Sequence, residues 1–202
     1  GGSAVYGGGA SGGTIHITTL NPSAKPFEAV SAAGLNLGLS NIQKDSLGGW
    51  LQQNATGTVG KFDYVFSGKF DVTQAFFDAD GDRIPPEPSQ GGLSDTTSFN
   101  LLGKAGMNFG KQRVQVAVNY RKADQDSDYA SDPSTAAQPA GSVKAKAIEG
   151  LQLDEQTSVE NLMLNLDYIN KAILGGDLLA QAYYRDYNTR FHPFDGRPFS
   201  TW

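Results

Sequence analysis

Val114-Gln115-Val116-Ala117-Val118-Asn119-Tyr120-Arg121 alternates apolar and polar side chains without a break. In an extended strand successive side chains point to opposite faces. This stretch therefore has one face of Val114, Val116, Val118 and Tyr120 and another of Gln115, Ala117, Asn119 and Arg121. On a helix the same residues would scatter around the axis.

Working outward, the same period of two recurs. In Phe62–Asp71, Phe62, Tyr64, Phe66 and Phe70 oppose Asp63, Ser67, Lys69 and Asp71. Phe99, Leu101, Ala105, Met107 and Phe109 alternate with Asn100, Lys104 and Asn108. Leu162, Leu164, Leu166 and Tyr168 alternate with Asn161, Asn165 and Asp167. Residues 178–191 follow less cleanly, with Gln181, Tyr183 and Arg185 on one side, and weaker segments lie near 27–39 and 50–59. The pattern predicts about seven strands, several as long as the ~9–11 residues that cross a bilayer at a tilt.

The connections are of two kinds. Gly60-Lys61, Gly110-Lys111-Gln112 and the Leu174-Gly175-Gly176 region read as tight turns, whereas 75–95 and 123–157 are long, polar and rich in Asp, Ser, Pro and Gly. Tight turns at one rim and long loops at the other fit an all-β, antiparallel transmembrane β-barrel. A β-sandwich also alternates, but its strands are usually nearer ~5–6 residues. Polar inward groups such as Asp63, Lys69, Asn119 and Arg121 would meet water or a plug, and Phe62, Phe109 and Tyr168 would sit at interfacial belts. Core packing is the alternative for those aromatics.

Composition bounds the function. No stretch approaches the ~20 apolar residues of a spanning helix. Cysteine is absent, which removes disulfides and thiolate chemistry. His16 and His192 form no metal-binding pair, and a net charge of -5 with no basic cluster argues against nucleic acid as a partner. No cofactor is expected. Gly7-Gly8-Gly9-Ala10-Ser11-Gly12 formally matches a dinucleotide fingerprint, but a β-like run follows where a helix is needed. Asp78-Ala79-Asp80-Gly81-Asp82 opens like a calcium loop, yet position 89 is Ser rather than the closing Glu. A solvated acidic loop is the simpler reading, there and around Asp124, Asp126 and Asp128. The chain opens on Gly1-Gly2 and stops at Trp202 in mid-pattern, and both ends read as cuts.

The first segment, Ser3-Ala4-Val5-Tyr6-Gly7-Gly8-Gly9-Ala10-Ser11-Gly12-Gly13-Thr14-Ile15-His16-Ile17-Thr18-Thr19, resembles the end of the plug of TonB-dependent outer-membrane receptors. The motif residues are Tyr6, Gly7, Gly9, Gly12 and Gly13, and His16 stands where Asn is expected. Gln181-Ala182-Tyr183-Tyr184-Arg185-Asp186-Tyr187, continuing to Pro193-Phe194-Asp195, resembles an early barrel strand of siderophore receptors for hydroxamate or citrate-hydroxamate chelates. The resemblance implies a plug end over 1–24, with Asn21-Pro22-Ser23 as linker, and the opening strands of a ~22-stranded barrel over 25–202.

It also implies a function. A ferric siderophore binds on the extracellular side of the Gram-negative outer membrane, and the TonB complex pulls the plug through a box upstream of Gly1. By strand parity Arg121, Tyr183, Arg185 and Tyr187 face inward toward the long loops, where aromatic and guanidinium groups suit a bulky anionic ligand. Cobalamin, haem or carbohydrate are alternative ligands. A passive porin-like barrel leaves the Gly-rich segment without a purpose. An outer-membrane hydrolase would want a catalytic constellation that this sequence does not offer, so no enzyme is expected.

The plug reading places residues 1–19 against the polar concave face rather than in the wall. In the intact receptor, crosslinking Ser11 to an inward barrel position is expected to block ligand uptake. Undiminished uptake by the crosslinked protein would rule out gating by this segment.

Overall fold

The computed structural model describes residues 19–39, 41–87, 92–136, 138–139, 141–150, 153–173 and 175–191. Seven strands make one antiparallel sheet: β1 (Glu28–Asn36), β2 (Gly48–Val59), β3 (Phe62–Thr73), β4 (Thr96–Phe109), β5 (Gln112–Gln125), β8 (Ser158–Ile173) and β9 (Gly176–Arg190). They lie in chain order. Among the described residues the sequence of strands is interrupted by the loop after β5, which carries a separate ribbon of β6 (Tyr129–Ser131) and β7 (Ala147–Glu149) and one helical turn, α1 (Pro133–Ala136).

Two-residue turns fix much of the register. Val59 pairs with Phe62 across Gly60-Lys61, and Phe109 pairs with Gln112 across Gly110-Lys111. Each glycine has positive φ, 61° and 62°, and each following lysine does not, so glycine is required at the first turn position. At the other end β1–β2, β3–β4 and β5–β8 are joined by the long segments 37–47, 74–95 and 126–157. The two rims are therefore unlike, as the sequence predicts.

Following partners across the ladders assigns each side chain a face. Val116 pairs with Ala105 and Leu166, Tyr64 with Ala105, and Phe66 with Ala55, so Val116, Leu164, Leu166, Tyr64, Phe66, Phe70 and Phe99 share one face. Asn119, Arg121, Asn165 and Lys69 share the other. The apolar face is uncovered: Leu51, Phe66, Phe70, Val116 and Leu166 are all exposed. Among the described residues the buried apolar side chains are Val65, Ala75, Ala123 and Ala130 alone. A sandwich would bury this face under a second sheet, and among the described residues no such sheet covers it. The protein is an open, barrel-wall sheet in which β1 and β9 are the outer strands.

Length fits that reading. The fourteen residues of β4 or β5 span roughly 46 Å at ~3.3 Å each, or about 35 Å of height at a tilt near 40°.

Some details differ from expectation. β5 continues through Gln125, so the loop expected from 123 begins at 126. β1 is shorter than the 27–39 segment, and β6, α1 and β7 lie inside a stretch that reads as loop. The motif Tyr6, Gly7, Gly9, Gly12 and Gly13, and most of the expected plug end, lie outside the described residues. The chain leading into β1 runs along the polar side: Lys104 Nζ donates to the Leu20 carbonyl at 2.8 Å, and Thr58 Oγ1 donates to the Ser23 carbonyl at 2.7 Å.

An apolar face that meets lipid rejects charge. Val116→Arg should cost about 2–4 kcal/mol of folding free energy in lipid vesicles, whereas Asn119→Arg on the opposite face should be near neutral. Equal costs in a denaturant titration would contradict the assignment of faces.

Candidate functional site

The polar face is organised in rows set by the ladder register. One row crosses six strands from Gln52 through Lys69, Asn100, Arg121 and Asn161 to Tyr187. The next row toward the tight turns contains Asn119, Met163 and Arg185, and the one after it Ala117, Asn165 and Tyr183. Arg121 of β5 and Tyr183, Arg185 and Tyr187 of β9 thus lie on one face, as strand parity predicts, with β8 between the two strands. Gln52, Asn100 and Asn161 belong to the same surface; a single-strand pattern shows their face but not their neighbours.

Arg185 is held from two sides. Its Nε donates to Asn161 Oδ1 at 2.9 Å, and its guanidinium lies 4.8 Å from the Tyr187 ring centre. The Arg121 side chain makes no hydrogen bond or ion pair among the described residues and is exposed. Tyr183 is 81% exposed. An unpaired guanidinium on β5 and a stacked one on β9 share this face, with Asn161 on the strand between them, and both are groups that hydrogen-bond anionic oxygens. Toward β2, Lys69 bonds Asp71 at 3.2 Å and lies 5.2 Å from the Trp50 ring, so that cation is already committed.

Above this surface the long loops are tied together by two cations. Arg83 is nearly buried. It pairs with Asp45 at 2.9 Å and with Asp95, and lies 3.9 Å from the Tyr129 ring centre. Ser127 Oγ also donates to Asp95, at 2.5 Å. One guanidinium thereby joins all three long segments.

Lys144 makes the second tie. Its Nζ lies 2.6 Å from Asp78, 3.1 Å from Asp80 and 2.7 Å from Asp82. The Asp78 carboxylate is further held by the N–H groups of Asp80 and Asp82, each donating at 3.0 Å. The acidic stretch that resembles a calcium loop is thus an ammonium seat. Hydrogen bonding from Lys144 lowers the Asp78 pKa, and the Asp78 and Asp82 carboxylates raise that of Lys144. Among the described residues no group of His, Asp and Glu is arranged to hold a metal ion. His16 and His192 lie outside those residues.

No protein-family model matches this chain, and no solved structure matches it. Curated proteins do. The chain is 28% identical over 200 residues to the ferric aerobactin receptors of Klebsiella pneumoniae and Escherichia coli. It is 29% identical over 203 residues to the rhizobactin receptor of Rhizobium meliloti (strain 1021). Each alignment covers 96% of this chain and 26% of the relative. The chain therefore spans about a quarter of the length of these siderophore receptors, and is similar to them along almost all of its own.

The Lys144 tie has a defined pH window. Asp78, lowered from 3.8, contributes above that value and loses its contribution as pH falls through its folded pKa. Lys144, raised from 10.5, contributes fully below that value and loses its contribution only above it. Protection of the 78–82 backbone from proteolysis is expected to stay constant from about pH 5 to 10 and to fall below about pH 4. Lys144→Met should remove it throughout. Protection that is unchanged in that variant would show that the tie does not order the loop.

Proposed function

We propose that this chain is part of a Gram-negative outer-membrane receptor that takes up a ferric siderophore with energy supplied through TonB. Similarity to siderophore receptors over 96% of the chain carries the reading. The geometry supports it: a sheet with an uncovered apolar face suits lipid, and its polar face presents unpaired donors below a set of tied loops. In this reading residues 1–24 are the end of a plug and 25–202 the first part of the barrel wall.

The proposed sequence of events begins at the long-loop rim, where the chelate arrives. Arg121 supplies a free guanidinium to its anionic oxygens. Arg185, pre-oriented by Asn161 and Tyr187, supplies a second that loses little side-chain freedom on binding. Tyr183 and Tyr187 offer ring faces to the chelate's apolar parts. Movement of the plug under the pull of TonB then opens the path through the barrel lumen. No step forms or breaks a covalent bond, so no catalytic residue is assigned.

The test is growth. A receptor-null strain carrying the full-length gene should grow under iron limitation on one or more defined ferric siderophores. Growth on none of them, with the protein present at the cell surface, would refute the reading. In a rescued strain, Arg121→Ala with Arg185→Ala should raise the KM for uptake about tenfold or more, as expected for lost charge-assisted hydrogen bonds. An unchanged KM would remove these residues from the site.

A further inference from the structure

The two rims differ in charge as well as in loop length. Each tight turn of the described sheet carries or adjoins a lysine: Lys61 between β2 and β3, Lys111 between β4 and β5, and Lys171 near the end of β8. Backbone bonds set these segments side by side. The Asn108 N–H donates to the Lys61 carbonyl, and the Lys171 N–H to the Lys111 carbonyl, each at 2.9 Å. All three lysines are exposed, and none has an ion-pair partner among the described residues.

Acids at this rim are fewer than its cations: Asp177, just after the β8–β9 turn, is exposed and has no ion pair among the described residues, and the others are taken. Glu28 is bonded to Lys25 at 3.4 Å, and Asp63 is held by both Arg113 nitrogens at 2.5 and 2.8 Å. By contrast Asp78, Asp80, Asp82, Asp126, Asp128 and Glu155 all lie in the long segments at the other rim. Directly beside the Lys61 and Lys111 turns, the apolar face holds a groove lined by Phe62, Ala105, Met107, Phe109 and Val114. Phe62 follows Lys61 in the chain, and Phe109 precedes the Gly110-Lys111 turn.

We propose that the tight-turn rim is a docking surface for anionic phospholipid: the lysines hold the lipid phosphates, and an acyl chain lies in the groove beside them. Hairpin turns on neighbouring strand pairs recur about every 10 Å, so the lysines form a repeating cationic edge instead of one point charge. An ammonium near an anionic lipid surface contributes through charge and needs no rigid geometry, which suits exposed lysines at turns. The groove supplies an apolar contact that free phosphate could not use. The inference rests on the membrane-barrel reading above.

The experiment uses the purified full-length protein in detergent, with bound lipid counted by native mass spectrometry during titration with phosphatidylglycerol or phosphatidylethanolamine. The wild type should retain phosphatidylglycerol with a preference of about fivefold or more. In Lys61→Gln/Lys111→Gln/Lys171→Gln that preference should fall to about twofold or less, while Lys44→Gln, which removes one charge from the opposite rim, should keep it. A wild type without preference overturns the proposal whatever the variants do. So does a triple variant that keeps the preference, or a Lys44→Gln protein that loses it. Heat-modifiable migration on gels and insertion into vesicles check the barrel independently. A protein that inserts but shows no preference overturns the lipid site alone, whereas failure to insert overturns the barrel reading and this site with it.

Discussion

A strand without a hydrophobic core beneath it depends on its neighbours for every backbone hydrogen bond, and this sheet has almost no core. Four small or medium apolar side chains are buried among the described residues, far too few to hold a soluble domain of this size. What organises the chain is the ladder itself, which pairs long strands continuously from β1 to β9. In hydrocarbon that requirement becomes absolute, because unpaired N–H and C=O groups find no water. Long strands, two-residue turns and a single layer among the described residues all suit that solvent.

The ladder then determines what the side chains can do. Because antiparallel partners share a face, the polar set of one strand lands on the polar set of the next. Charges can therefore pair across an intervening strand: Arg113 of β5 reaches Asp63 of β3 over β4. Gly106 lies between them, and a Cβ there would come within 2.6 Å of the Asp63 carboxylate. One missing side chain permits a bidentate ion pair that links three strands on the polar face.

Much of this was legible in the sequence, for a specific reason. Period-two alternation gives the face of each residue, so Arg121, Tyr183, Arg185 and Tyr187 could be placed together on the polar side. Two-residue turns give register as well: with Val59 opposite Phe62, Gln52 must oppose Lys69, and with Phe109 opposite Gln112, Asn100 must oppose Arg121. Across the long segments that inference stops. Nothing in the residues between β5 and β8 dictates that Arg121 meets Asn161, because a flexible connection allows many offsets. The ties made by Arg83 and Lys144 were invisible for the same reason. Each joins residues far apart in the chain, and Lys144 meets an acidic stretch that, read alone, resembles half of a calcium loop.

The contrast between those ties and the row beneath them bears on how the surface can work. Arg83 and Lys144 spend their charge on aspartates, and so turn three long segments into a positioned rim. Arg121 lies one strand-end below that rim and keeps its charge unspent. A loop that had to be ordered by the ligand would draw the cost of ordering from the binding energy. Here the ordering comes from contacts within the protein, and the Arg121 guanidinium is left without a partner among the described residues. Tied loops above a row that still carries one unpaired guanidinium are what the proposed reading asks of this surface, because the contact points are then set before a ligand arrives.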